Sequence, residues 1–177
     1  MRVPVTELVD NPGATRELSR AVPVEEFGKD SWGPAEGAFR GDVELDLDLD
    51  AVVEGILVRG GIGVDLELPC ARCLVPQAVH VDSDVAELFV DPTKREDDDD
   101  EDPGYELVDD RTAIDLSVMV RDALLVDLPV RVLCREDCQG LCEECGTDRN
   151  LTDCGHRPDA VPDPRWAKLG DLDLPTE

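Results

Sequence analysis

Seven cysteines in four short groups constrain the fold of this chain more than any other feature of its sequence. The groups, the last of which includes a histidine, are Cys70-x2-Cys73, Cys134-x3-Cys138, Cys142-x2-Cys145 and Cys154-x-His156. Two ligands at such a spacing converge on one tetrahedral ion when the turn between them is tight. Seven thiols and one imidazole make eight ligands, enough for two sites of four. The pattern predicts structural metal sites, with zinc as the favoured ion.

The assignment of the eight ligands to sites stays open at this stage. One partition, which we prefer, has a first site of Cys70, Cys73, Cys134 and Cys138 and a second of Cys142, Cys145, Cys154 and His156. A competing partition places the four cysteines of residues 134–145 in one local site and leaves the others unpaired. Iron–sulfur ligation uses the same residue types, but no ferredoxin spacing is present. Closed sites of four ligands leave no position for water, which argues against a metalloenzyme.

The charge of the chain limits how it can bind its partners. The 177 residues include 43 acidic and 17 basic ones, a formal net charge of −26, and only 3% are aromatic. Such acidity excludes nucleic-acid binding by general electrostatic attraction, but not a local contact or a basic protein partner. We find no signal peptide and no apolar run long enough to span a bilayer, and therefore expect a cytoplasmic protein.

Alternating sequence patterns predict an antiparallel sheet of four or five strands. Val43–Ala51 reads VELDLDLDA, the period of a strand with one buried and one wet face. An apolar run over residues 52–59 precedes a glycine turn at Gly60, Gly61 and Gly63, and residues 62–68, 75–81 and 85–90 continue as strands. Residues 1–40 are expected to form an irregular arm with a short helix over residues 15–20. The α+β domain is expected to cover residues 41–156.

One amphipathic helix is expected after the sheet, and acidic or polar segments surround it. Leu116, Met119, Val120 and Leu124 follow the helical period, with Asp115 as the expected N-cap and an end before Pro129. The acidic run EDDDDED over residues 96–102 predicts a disordered loop over residues 94–104. A polar tail over residues 157–177 is expected to hold one short helix at residues 165–169. The fold class is thus α+β: an antiparallel meander, one packed helix and a metal-stapled, cysteine-rich C-terminal segment.

No catalytic constellation is present in the sequence. Asp46, Asp48 and Asp50 resemble the start of a calcium loop, but the following Gly and Glu are missing, so a solvated strand face is the better interpretation. His80 is more typical of a surface or packed residue than of a ligand. Arg72, inside the first cysteine pair, either meets phosphate or carboxylate or neutralises the neighbouring thiolates.

Several segments together resemble the YceD family of bacterial and plastid large ribosomal RNA subunit accumulation proteins. The specific part is CARCL from Cys70, VDLPV from Val126 and CREDCQGLCEECGTDRNL from Cys134. VTELVDNPGATRE near the start and DPRWAKL in the tail extend the resemblance over most of the chain. The family often ends its cysteine segment in C-x-C, whereas here His156 follows Cys154 and Gly155. Imidazole replaces thiolate in structural zinc sites, so this departure is chemically tolerable.

The resemblance implies a non-enzymatic role in the synthesis or accumulation of large-subunit ribosomal RNA. It also implies a gene beside that of a zinc-ribbon ribosomal protein. The expected partner is large-subunit ribosomal RNA or a ribosomal protein in precursor particles, met through a patch that includes Arg72, Arg131 and Arg135. Neither a membrane nor a small-molecule substrate is expected. The alternatives are a zinc- and thiol-based redox switch, and an acidic chaperone for one basic ribosomal protein that uses the acidic run.

Overall fold

A computed structural model describes residues 1–27, 38–94, 104–108, 110–156 and 165 of the chain. The strands are β1 (Arg2–Pro4), β2 (Thr15–Val22), β3 (Val43–Ala51), β4 (Gly55–Pro69), β5 (Pro76–Val90), β6 (Tyr105–Val108) and β7 (Ala113–Asp115). Within these described residues, the α-helix is α1 (Ser117–Asp127), and short 3-10 helices span Val24–Phe27 and Pro92–Lys94. None of the described helices is long and apolar enough to cross a membrane.

The seven strands form one sheet in the order β1-β7-β6-β5-β4-β3-β2. Neighbouring strands are antiparallel except β5 and β6, which pair in parallel at two positions. β4 and β5 form a long hairpin that pairs from Gly55 with Val90 to Pro69 with Pro76. This hairpin carries Cys70 and Cys73 beyond its last paired residues, and it therefore positions the first cysteine pair at one end of the sheet.

The core lies on one face of the sheet, where α1 packs. Every odd residue of β3 is buried, while its acidic residues alternate outward, as the sequence pattern predicts. Met119, Val120 and Leu124 of α1 are buried in the same core as these strand residues. Burying such a side chain contributes roughly 1.5–3 kcal/mol. The coarse expectation of an α+β fold with one packed helix is met, although the molecule is mostly sheet.

The predicted glycine turn in the middle of β4 is wrong. Residues 52–59 and 62–68 were expected as two strands, but residues 55–69 form a single strand without a turn. Gly60 has φ +141°, and a Cβ there would lie 2.1 Å from the backbone oxygen of Asp46. The glycine therefore permits close approach of β3, rather than a reversal of the chain. The strands expected over residues 75–81 and 85–90 likewise form one strand, β5, which begins at Pro76 and has Ser83 buried between the two segments.

The expected irregular arm over residues 1–40 is also wrong for its described part. β1 pairs with β7, and β2 pairs with the whole of β3, from Thr15 opposite Asp50 to Val22 opposite Val43. The expected helix over residues 15–20 is thus a strand, because pairing with a long neighbour overrides a weak local preference. The sheet begins at Arg2, well before the expected domain start at residue 41.

The helix α1 lies where the sequence predicts it, with one difference at its start. Its N-cap is Leu116 rather than Asp115, but an Asp115 carboxylate oxygen accepts a hydrogen bond from the Ser117 backbone N–H at 3.0 Å. The helix ends at Asp127, before Pro129, as expected. The acidic run over residues 96–102 and, apart from Arg165, the tail over residues 157–177 lie outside the described residues.

Candidate metal centres

The tip of the β4–β5 hairpin presents the first two thiols. A tight turn closes there, because the Leu74 N–H donates to the Cys70 carbonyl at 3.0 Å and the Cys70 N–H donates to the Val75 carbonyl at 2.9 Å. Leu74 adopts φ +62°, a left-handed conformation that is costly for a residue with a side chain. The turn is thus held in a conformation that brings Cys70 and Cys73 together.

Four thiols meet at this tip and form the first cluster. Their ligand atoms all lie within 4.8 Å of one another, and the members are Cys70, Cys73, Cys134 and Cys138. The two sulfur–sulfur distances are 3.9 Å from Cys70 to Cys138 and 3.6 Å from Cys73 to Cys134. In tetrahedral zinc with Zn–S bonds of about 2.3 Å, two sulfurs stand about 3.8 Å apart. The sulfur positions therefore fit a tetrahedral metal ion.

The second cluster is more local and more exposed. Its members come from one loop, and they are Cys142, Cys145, Cys154 and His156. Cys142 is buried, whereas Cys145 and His156 are exposed. The Cys142 sulfur lies 3.7 Å from His156 Nδ1, close to the separation of about 3.6 Å for a sulfur and a nitrogen on one tetrahedral zinc. Nδ1 is thus the imidazole atom that faces the thiols.

The two clusters have the membership of the partition that we preferred from the sequence. The cysteines at 134 and 138 join the hairpin tip, and the remaining three thiols and the histidine gather separately. This grouping favours that partition over the competing local site of residues 134–145. Both donor sets are compatible with a metal ion, and the binding of zinc stays a prediction.

Hydrogen bonds and burial divide the first cluster into easily and poorly ionised thiols. Backbone N–H groups of Cys73 and Arg72 lower the pKa of the Cys70 thiol to about 6. Burial, followed by the neighbouring thiols, raises the pKa of the Cys134 thiol to about 12. Four thiolates cannot share this space without a compensating positive charge. A divalent cation held by these four residues would supply that charge and would lower the pKa of the remaining thiols, so the donor chemistry fits such an ion.

Two thiols of the second cluster also ionise readily. The Thr147 hydroxyl, which lies 3.2 Å from the sulfur of Cys145, and the Thr147 backbone lower the pKa of that thiol to about 6. The pKa of Cys142 is also lowered, first by the backbone N–H of Cys145. Their thiolates in turn raise the pKa of His156. The loop thus holds thiolates next to an imidazole, which are the ligand types that zinc prefers.

Arg72 joins the hairpin tip to the cysteine-rich segment. Its Nη1 donates to the backbone carbonyl of Cys138 at 2.7 Å and to that of Glu136 at 3.2 Å. Its own carbonyl accepts from the Leu141 N–H at 3.0 Å. These contacts make Arg72 a structural clamp around the first cluster. The two roles weighed for this arginine from the sequence stay predictions.

Asn150 contacts the first cluster and the turn beside it, and the cysteine spacing gives no signal for this role. Its side-chain amide lies 3.4 Å from the Cys138 sulfur, and its Oδ1 accepts from the Gln139 N–H at 2.8 Å and from Arg135 Nη2 at 2.6 Å. The sequence reasoning missed it, because an asparagine after a cysteine pair is typical of an ordinary turn. Arg131 and Arg135 are both exposed, and Arg135 is partly engaged by this hydrogen bond.

The other residues that the sequence singled out lie away from the clusters. Asp46 and Asp48 are exposed on β3, which is the solvated strand face that the sequence favoured over a calcium loop. His80 lies on β5 between two carboxylates, with its ring nitrogens 2.7 Å from Asp65 and 3.0 Å from Asp82. These two hydrogen bonds raise the pKa of His80.

Both clusters lie in a region of the chain that matches the model of one protein family. The family model described as "Large ribosomal RNA subunit accumulation protein YceD" matches residues 58–173, which include all eight candidate ligands. The chain belongs to the YceD family. The resemblance seen in the cysteine motifs is thereby confirmed.

Two mycobacterial proteins are similar to this chain over almost all of its length. An uncharacterized protein of Mycobacterium tuberculosis strain H37Rv is 36% identical over 173 residues, which cover 97% of this chain and 81% of the relative. An uncharacterized protein of Mycobacterium leprae is 35% identical over 176 residues, covering 97% of this chain and 76% of the relative. No solved structure matches the chain significantly.

Proposed function

We propose that the protein promotes the accumulation of large-subunit ribosomal RNA by binding within assembling large subunits, without catalysing a reaction. The observation that carries this proposal is membership of the YceD family over residues 58–173. The family's own description names the large ribosomal RNA subunit and its accumulation. The cysteine clusters lie inside the matched region, so they belong to the part of the chain that the family shares.

The chemistry of the clusters supports binding rather than catalysis. Each cluster offers four ligand atoms within 4.8 Å of one another, which is a full tetrahedral set. Zinc held by four protein ligands has no position for a substrate or an activated water, and such sites stabilise structure. When bound, the ion supplies positive charge and a rigid crosslink. The eight residues named above would hold two zinc ions.

The first cluster would act as the staple between the sheet and the C-terminal segment. It joins residues 61 and 68 positions apart in sequence, whereas the Cys142–His156 pair of the second cluster is separated by only 14. The Arg72 clamp and the Ala71 N–H, which donates to the Val132 carbonyl at 2.8 Å, add to the same junction. The cysteine-rich segment is thereby presented as a rigid surface at the end of the hairpin.

The partner in this proposal is large-subunit ribosomal RNA or a large-subunit ribosomal protein. A chain of net charge −26 is repelled by RNA at long range, so RNA would be met only at a local patch. Arg72, Arg131 and Arg135 are the candidates for that patch, and all three are exposed. A basic ribosomal protein is attracted instead, at long range and at contact.

Gradient sedimentation tests the proposal directly. Tagged protein from a gentle lysate is expected to migrate with precursor large-subunit particles and to be absent from mature ribosomes. The double variant C70S/C73S should lose this migration, while Val53→Ser, an exposed substitution away from the clusters, should retain it. Depletion of the protein should lower the ratio of large- to small-subunit RNA. An unchanged ratio after depletion would contradict the proposal.

A zinc- and thiol-based switch is a second candidate, favoured by one observation. Cys145 is exposed and its thiol has a pKa of about 6, so it is a reactive thiolate at neutral pH if the metal leaves. Peroxide would oxidise two thiolates to a disulfide and be reduced to water. Zinc release at physiological peroxide, with a reversible change in particle binding, distinguishes this function from a purely structural role.

A further inference from the structure

A groove runs between α1 and β5, far along the sheet from the hairpin tip. Its volume is about 390 Å³, and four consecutive residues of β5, 84–87, form one wall. Tyr105, Met119 and Val126 supply apolar surface to the groove. Val126 is 82% exposed, which is unusual for a large apolar side chain on a helix that packs against a core. The groove thus offers apolar surface to a partner.

Carboxylates surround this apolar surface. Asp84 and Glu87 come from β5, and Asp122 and Asp127 come from α1. All four are exposed. Arg121 Nε lies 3.1 Å from an Asp122 carboxylate oxygen and offsets part of its charge. Burial raises the pKa of Tyr105, the charges of Asp122 and Glu87 raise it further, and Arg121 lowers it, as expected where carboxylates outnumber cations.

The strand that forms one wall has an edge without a strand partner. β6 pairs with β5 only at Phe89 and Val90, whereas β4 pairs along the other edge of β5 over all fifteen residues. Within the described part of the chain, residues 76–88 of β5 therefore pair with β4 alone. An unpaired strand edge beside an apolar groove suits an extended peptide, which adds main-chain hydrogen bonds to side-chain contacts.

We propose that this groove binds an extended protein segment in which lysine or arginine side chains alternate with apolar ones. The apolar side chains contact Tyr105 and Val126, and the basic ones meet the four carboxylates. Nucleic acid is the wrong partner here, because its phosphates would face those carboxylates. This inference deepens the proposed function by naming the chemistry of the protein partner, and it rests on that function only for its biological setting.

Fluorescence anisotropy with a labelled, acetyl-capped decapeptide of alternating arginine and valine tests the groove on the purified, zinc-loaded full chain. The groove variant is D84N/E87Q/D122N/D127N. The matched control, D42N/E44Q/D46N/D48N, makes the same four substitution types at exposed residues in and just before β3. Both variants remove four negative charges, so general attraction changes equally. A second pair compares Val126→Ser with Val53→Ser, two exposed valines.

The groove variant is expected to weaken peptide binding about tenfold, because it removes four surface ion pairs with the peptide. The control variant should weaken binding less than about twofold, because it changes only the general charge of the protein. Val126→Ser should weaken binding, whereas Val53→Ser should not. Equal weakening by the two charge variants, or tighter binding of a single-stranded 20-nucleotide RNA than of the peptide, would overturn the proposal. Because particles are absent from this assay, its failure leaves the sedimentation result, and thus the proposed function, standing.

Discussion

Removing one ligand from each cluster should have unequal consequences for the fold. The variants are Cys70→Ser for the first cluster and Cys145→Ser for the second. Each should lower the zinc content of the purified protein, which elemental analysis measures. The unfolding of the sheet, followed by circular dichroism in urea, should respond very differently to the two variants because the clusters join different parts of the molecule.

The structure sets the size of this difference. The first cluster closes loops of 61 and 68 residues between the hairpin and the C-terminal segment. By the loop-entropy relation used for crosslinks, closing loops of that size stabilises the folded state by about 4 kcal/mol. The second cluster closes a loop of 14 residues at the surface, for which the same relation gives about 3 kcal/mol. That free energy stabilises only the loop itself, which is free to open without unfolding the sheet.

Cys70→Ser should therefore lower the free energy of unfolding by up to about 4 kcal/mol, since loss of the first ion releases the whole cysteine-rich segment. Cys145→Ser should lower it by less than about 1 kcal/mol, because only local structure is released. Cys70→Ser should also weaken zinc binding at the second cluster, whose loop is held against Arg72 and Cys138. Equal destabilisation by the two variants, or an unchanged zinc content in either, would refute this reasoning.

Three further predictions concern the tip and the sheet. In urea titrations, Gly140→Ala should lower the free energy of unfolding by about 2 kcal/mol and Gly146→Ala by about 1 kcal/mol. Both glycines have φ near +70°, which is strained for alanine. Only at Gly140 would the added Cβ also lie 3.0 Å from the Arg72 carbonyl oxygen. Leu74→Gly should raise the free energy of unfolding by about 1 kcal/mol by relieving φ +62°, since the side chain is 61% exposed. The pKa of His80 is raised by the two carboxylates beside it. Their contribution to stability is therefore complete below pH 6.5 and is lost as the pH rises through the raised pKa. The melting temperatures of wild type and His80→Gln should converge at high pH.

Each of these predictions has an outcome that contradicts it. Equal effects of the two glycine variants would mean that the backbone contact is not tight in solution. A Leu74→Gly protein that unfolds at lower urea would show that the leucine stabilises the turn more than its conformation costs. Parallel melting curves for wild type and His80→Gln at every pH would show that the carboxylates do not stabilise the imidazolium.

Strand patterns were readable from the sequence where one face of the strand is buried. Val43–Ala51 alternates so regularly that its bounds and its buried face could be predicted together. The same reasoning failed at Gly60, because a glycine is equally typical of a turn and of a site where the backbone of a neighbouring strand approaches closely. It failed again over residues 15–20, whose strand depends on pairing with β3 and on no local pattern of their own.

The spacing of cysteines and histidine determined by itself that eight ligands were available and that four-ligand sites were the natural arrangement. The sequence motifs likewise determined the family. Only the tertiary structure decided which thiols share a cluster, because Cys70 and Cys134 are brought together by the length of the β4–β5 hairpin, a property of the whole sheet. It also decided that Arg72 clamps carbonyls and that the Asn150 amide lies against the Cys138 sulfur, since such hydrogen bonds leave no periodic trace in a sequence.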